Sequence, residues 1–115
     1  MRLVLHFGAH KTATTYIQST LAASQSSLSD YGVGYVPLDE MRERVTPLAG
    51  PRRLNAGGTL RKLIDEHGDR GRLILSDENM SGLCSNAVKA GTFYAEIDKR
   101  AERLVAAAQG HEVEI

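Results

Sequence analysis

Residues 3–18, Leu3-Val-Leu-His-Phe-Gly8-Ala-His-Lys11-Thr-Ala-Thr-Thr15-Tyr-Ile-Gln18, constrain the fold more than any other part of the chain. An apolar run ends at a glycine, a lysine follows within a short turn, threonines cluster around it, and a helical pattern begins. That order reads as a buried strand, an anion-cradling loop and a helix N-terminus. Unpaired backbone N–H groups and the positive end of the helix dipole favour an anion at such a place. Lys11 adds a full positive charge, and Thr12, Thr14 and Thr15 add hydroxyl donors.

The rest of the chain alternates in kind. Arg2 to Phe7 reads as a first buried strand, and Thr14 to about Leu28 as a helix with Tyr16, Ile17, Thr20, Leu21, Ser24 and Leu28 on its packing face. Val33 to Val36 is a short strand closed by Pro37, and Asp39 to Val45 a helical turn with exposed charges. Thr46 to Gly58 reads as a long loop, the kind that often serves as a lid. Thr59 to His67 resumes a helix, Arg72 to Ser76 is a third strand, and Asp77-Glu78-Asn79 opens a short helix carrying Met80 and Leu83. Thr92 to Gln109 reads as a second long helix with a Phe93, Ile97, Ala101, Leu104, Val105 and Ala108 stripe, capped by Gly110, and His111 to Ile115 begins a fourth strand. The expected class is α/β: a parallel sheet with flanking helices in three α/β/α layers. Ligands of such sheets sit at the carboxyl ends of the strands, here the loop after the first strand and Asp77-Glu78 after the third.

The 115 residues suffice for one domain with a modest core, spanning 1–115. Lysine plus arginine balances aspartate plus glutamate at 14 each, which argues against nucleic acid as the main partner. No apolar run approaches the roughly 20 residues of a membrane span. Arg2 leads straight into a strand, unlike a signal peptide, and the single Cys84 has no cysteine or histidine at ligand spacing. Cys84 is expected to be a small buried residue in a reducing compartment, so the expected location is cytoplasmic.

The motif itself narrows the chemistry. A nucleoside-triphosphate P-loop reads G-x-x-x-x-G-K-[ST]. Counting from Gly8, its second glycine falls on Ala13, its lysine on Thr14 and its last position on Thr15. What stands here, G-x-H-K-T-x-T-T, resembles the 5′-phosphosulfate-binding loop of the sulfotransferase family, whose fold is P-loop-like. The resemblance implies 3′-phosphoadenosine 5′-phosphosulfate as co-substrate, held by Gly8, Ala9, His10, Lys11, Thr12, Ala13, Thr14 and Thr15, and no required metal. It implies Lys11 near the bridging oxygen, stabilising charge on the leaving phosphate. The family usually has glycine where this chain has Ala13. Because alanine is disfavoured at positive φ, either Ala13 takes a negative φ or the loop is strained.

Ser76-Asp77-Glu78-Asn79 resembles a serine-and-glutamate pattern of a bacterial branch of the same family. Glu78 is then the candidate base for a hydroxyl or amine acceptor, a role that calls for a pKa raised by partial burial. The bland alternative is an N-cap turn. Asp77 is the alternative acid, and Ser76 is expected to help bind the co-substrate or orient the loop. His10 is a candidate base or a shaper of the turn. Arg52, Arg53 and Asn55 either meet an anionic acceptor or are solvated, and Gln18 is expected to support the loop. The acceptor is a small molecule or a glycan.

The resemblance covers the phosphosulfate loop and roughly the first half of the family's fold. The family's 3′-phosphate-binding arginine and serine follow a later strand, which places them beyond Ile115. A domain of this family is typically about twice as long, so the fold is expected to be incomplete, as an N-terminal piece or a shortened product. Two other readings stand beside this one. The first is a P-loop kinase or nucleotide hydrolase, for which Leu73-Ile-Leu-Ser-Asp77 is the nearest approach to a magnesium-binding strand. The second is a non-catalytic remnant that self-associates through an open sheet edge.

Overall fold

Strict alternation shapes the first strand. Leu3, Leu5 and Phe7 are buried on one face, while Val4 and His6 are half-buried on the other. The computed structural model describes residues 1–10, 13–51, 54–82, 88–89 and 91–115. Lys11, Thr12, Arg52, Arg53, Leu83 and Cys84, named above, lie outside the described residues.

In chain order the elements are β1 (Arg2–His6), α1 (Thr14–Ala23), α2 (Gln25–Asp30), β2 (Val33–Tyr35), α3 (Leu38–Glu40), α4 (Ala56–Glu66), β3 (Arg72–Ser76), β4 (Val88–Lys89), β5 (Thr92–Phe93), α5 (Ile97–Ala107) and β6 (Glu112–Glu114). A π turn (Met41–Val45) and a 3-10 turn (Thr46–Ala49) continue α3, and a second 3-10 turn (Glu78–Ser81) follows β3. Four strands form one all-parallel sheet in the order β2-β3-β1-β6, while β4 and β5 make a separate antiparallel ribbon. The register sets Leu3 opposite Leu73 and Val113, Leu5 opposite Leu75, and His6 opposite Ser76. The expected α/β class with a parallel sheet and flanking helices is thus the observed one, and it is compatible with three layers.

One face of the sheet holds the main core. Leu3, Leu5, Phe7, Leu73 and Leu75 pack with Met41, Val45 and Leu48 from the turns, Leu60, Leu63 and Ile64 from α4, Met80, and Leu104 and Ala107 from α5. The turn after α3 enters this core because Met41 and Val45, four residues apart, share a helical face and are both fully buried. Arg44 ties it outward, donating to Glu40 at 2.6 Å and to Glu66 at 2.7 Å. No residue of α1 or α2 joins the main cluster, and Val4 and Ile74 on the other face are only half-buried. Among the described residues no helix is long and apolar enough to cross a membrane.

Four local expectations are corrected. The helix expected over Thr14 to Leu28 breaks at Ser24, whose N–H turns back to Thr20 and Leu21. Its buried residues are Thr14 and Gln18, whereas Tyr16 and Ile17 are exposed, so the packing face is the polar one. The loop expected over Thr46 to Gly58 is largely helical: Leu48 and Ala49 are buried in the 3-10 turn and α4 opens at Ala56. Pro47 stands in that turn's first positions, where its missing N–H is no loss. The helix expected from Thr92 starts only at Ile97, because Tyr94 takes a left-handed φ of 47° that no helix accommodates.

A candidate anion and acceptor site at the carboxyl ends of β1 and β3

The loop after β1 leaves the sheet through Gly8, at φ 60°. Glycine is needed there twice over. Its left-handed φ is one that side chains rarely adopt, and a Cβ on it would stand 2.6 Å from the Thr14 methyl. At the other end of the loop Ala13 holds φ 62° as the residue before α1, with no side-chain cap. The open question of the sequence is therefore decided for the strained alternative. The N–H groups of Tyr16 and Ile17 both turn to the Ala13 carbonyl. The Thr14 and Thr15 amides stand ahead of that turn and have no intrahelical acceptor. Thr14 is buried beneath Gly8, so Thr15 carries the more exposed hydroxyl.

His10 is fixed on three sides. Its backbone N–H donates to the Tyr94 hydroxyl at 2.9 Å, its Nδ1 lies 2.9 Å from the same hydroxyl, and its Nε2 lies 3.0 Å from Asn79 Oδ1. One proton arrangement satisfies all three: Tyr94 donates to Nδ1 while accepting from the backbone, and Nε2–H donates to Asn79. The rings also stack with centroids 5.8 Å apart. With both ring nitrogens engaged, His10 ties the loop after β1 to Tyr94 and Asn79.

The turn after β3 is held as firmly. Asp77 is fully buried and caps the turn, accepting from the Asn79 N–H at 3.1 Å, from Thr46 Oγ1 at 2.6 Å and from Arg42 at 3.4 Å. Arg100 of α5 donates to the carbonyls of Met80 at 2.7 Å and Asn79 at 3.0 Å, a cation set on the turn's carbonyl end. Burial, aided by neighbouring Arg103, lowers the Arg100 pKa from its ordinary value. Ser81 Oγ donates to the Gly8 carbonyl at 3.2 Å, which joins this turn to the loop after β1.

Glu78 is less deeply buried and keeps its carboxylate partly open. Gln18 Nε2 donates to Oε2 at 3.0 Å, and Arg42 Nη2 donates to Oε1 at 3.2 Å. Burial pushes its pKa up, but its own backbone N–H, Gln18, Arg42 and His10 together outweigh that and hold the carboxyl below the usual glutamate value. The raised pKa expected of a base is thus corrected: donors surround this carboxylate on several sides. It is ionised at neutral pH.

The fold thereby brings Gly8, Ala9, His10, Ala13, Thr14 and Thr15 to one loop, with Glu78 beside it through Gln18. Lys11 and Thr12 stand between them in sequence and lie outside the described residues. Ser76 does not join them as expected. It is fully buried and bonded at 2.9 Å to His6 across the strand pair, so it serves the sheet. Asn55 sits at the start of α4 with a left-handed φ of 55°, accepting from the Thr59 N–H, a helix-starting role. Sequence reasoning missed Arg42 and Tyr94 as parts of the site, named Asn79 only within its motif, and did not foresee the bond from Gln18 to Glu78. Only Gln18 carried a signal: it lies four residues beyond Thr14, on the same helical face.

No protein-family model, curated protein or solved structure matches this chain.

Proposed function

We propose that this chain is a sulfotransferase-type domain that moves a sulfuryl group from 3′-phosphoadenosine 5′-phosphosulfate to a hydroxyl or amine of a small molecule or glycan. The observation that carries the reading is the left-handed Ala13 at the start of α1, closing a Gly8–Thr15 loop that leaves a central parallel strand. That is the backbone conformation a glycine would serve in the motif that the loop resembles. The orphan amides of the first helical turn favour the phosphate end of the donor. In the transfer, the acceptor oxygen or nitrogen forms a bond to sulfur, and the bond from sulfur to the bridging oxygen breaks. The acceptor proton passes to the ionised Glu78 carboxylate, whose lowered pKa makes it a weaker base, so its placement rather than its basicity supports the transfer, and the electron pair leaves with adenosine 3′,5′-bisphosphate. Lys11 is assigned to that leaving oxygen, and positioning plus charge stabilisation supply the catalysis.

Two features favour this over a kinase or nucleotide hydrolase. The position of the P-loop lysine is Thr14, which is buried under Gly8 and carries no charge. The carboxylate at the end of β3, Asp77, is already taken by Thr46, Arg42 and the Asn79 amide. The test is calorimetry of adenosine 3′,5′-bisphosphate without magnesium, on the chain and on Lys11→Ala. Saturable binding that the substitution abolishes is the expected result. Absence of binding, or binding that requires magnesium, overturns the reading.

A further inference from the structure

Gln18 is almost fully buried on α1, and its side chain is satisfied at one end only. Nε2 donates to Glu78 Oε2 at 3.0 Å, while Oε1 is buried with no hydrogen-bond partner. A buried carbonyl oxygen left unpaired is costly, and an amide can exchange its two ends by a half-turn. Here the half-turn would set Oε1 against the Glu78 carboxylate, so the amide keeps the orientation that serves Glu78 and leaves its own oxygen orphaned. A side chain selected only for packing at this place would be apolar, since a methionine fills the same volume with nothing left unpaired. Arg42 holds the second carboxylate oxygen from the opposite element, at 3.2 Å.

We infer that Gln18, acting with Arg42, is a positioning residue for the acceptor base Glu78. This inference rests on the proposed role of Glu78. The two donors fix the carboxylate plane from α1 and from the turn after α3, each taking one oxygen. Because Gln18 lies one helical turn below Thr14, the helix that presents first-turn amides to the donor's phosphate also carries the amide that aims the base. The first-turn amides and the amide that holds the base are thereby on one rigid element, about 6 Å apart along the helix axis. The groups facing Glu78 are Gln18 from α1, Arg42 from the turn after α3 and His10 from the loop after β1, with Asp77 beside it on its own turn and sharing Arg42.

The test is Gln18→Met in the full chain, with three readouts. The first is the carbon-13 NMR titration of the Glu78 carboxyl, assigned by Glu78→Gln. Loss of the Gln18 donor moves its midpoint upward; an unmoved midpoint overturns the inference whatever the enzymology. The second is thermal stability. The variant is at least as stable as the parent, because the orphaned oxygen goes with the amide; a large loss shows that the bond serves only the fold and overturns the inference. The third is transfer of labelled sulfate from the phosphosulfate donor to 2-naphthol as a probe acceptor. A kcat loss on the order of tenfold, with KM for the donor unchanged, is the size of one charge-assisted hydrogen bond. If the parent turns over, an unchanged kcat in the variant overturns the inference. If the parent transfers nothing to any acceptor, the functional proposal fails, while the titration still reports on the clamp. Should Gln18→Met not fold, Gln18→Asn, which withdraws the amide by one methylene, carries the same three readouts.

Discussion

The strained alanine at the mouth of the loop offers the sharpest test of the backbone described here. Ala13 holds φ 62° and ψ 17°. An L-residue in that region costs about 1–2 kcal/mol, which glycine escapes. Against this, glycine gives the unfolded chain more freedom, worth about 0.4–1 kcal/mol. The Ala13 side chain is exposed, so removing its methyl sacrifices no core burial. Glycine is also the better residue immediately ahead of a helix. Ala13→Gly is therefore expected to stabilise the protein by about 0.5–1 kcal/mol. With an unfolding entropy of roughly 2.1 cal/mol/K per residue, 115 residues turn that into a rise in Tm of about 2–4 °C. The assay is urea and thermal unfolding followed by circular dichroism, with the m-value required to stay constant so that the change is one of stability. Ala13→Val, whose branched side chain fits the left-handed region worse still, moves the midpoint the opposite way. A loss of stability in Ala13→Gly, or a gain in Ala13→Val, would refute the left-handed assignment and, with it, the observation on which the functional proposal stands.

Two further predictions follow from the carboxylates after β3. Asp77→Ala removes a cap and strands the Thr46 hydroxyl and the Asn79 N–H, so it costs roughly 2–4 kcal/mol in urea unfolding; a change under about 0.5 kcal/mol would mean that these contacts do not hold the turn. Glu78 sets a pH dependence of known sign: its folded-state pKa lies below the ordinary 4.5, so its contribution to stability is complete above that value and disappears as the pH falls through the folded pKa. Stability measured from about pH 6 to about pH 3 therefore falls less steeply in Glu78→Gln than in the parent, and parallel curves would contradict the donor set around Glu78.

The parts of the fold legible in the sequence were those decided by short-range pattern. Leu3, Leu5 and Phe7 alternate, Leu73-Ile-Leu75 lies between turn signals, and each became a strand because burial of one face is enough to specify it. The errors came where long-range contacts overrode local spacing. Tyr16 and Ile17 look like the core face of α1, yet the anchoring of Thr14 under Gly8 rotates the helix so that Gln18 is buried and both are exposed. Tyr94 lies within a helical pattern, but its hydroxyl meets His10, 84 residues away in sequence, and the backbone bends to deliver it. The turn from Met41 to Ala49 reads as charged and Pro-containing, while its buried residues, Met41, Val45, Leu48 and Ala49, are scattered among those charges. For the site, the loop was readable because a glycine, a lysine and threonines must lie close in sequence to make it. The clamp on Glu78 was not, because its donors come from α1 and from the turn after α3, 60 and 36 residues away.

The backbone sets the two adjacent carboxylates after β3 in different surroundings. Asp77 has an extended conformation, φ −158° and ψ 124°, so it continues the direction of β3 for one residue before the 3-10 turn begins. Asp77 enters the protein, where a hydroxyl, an amide and a guanidinium satisfy it, and Glu78, at the first position of the turn, keeps its carboxylate 15% exposed while meeting the same guanidinium. Arg42 touches both, which places one cation where it neutralises the buried acid and orients the open one. Of the two acids, the partly exposed Glu78 is thus the one that α1 holds, through Gln18, while the buried Asp77 is held by Thr46 and the Asn79 amide.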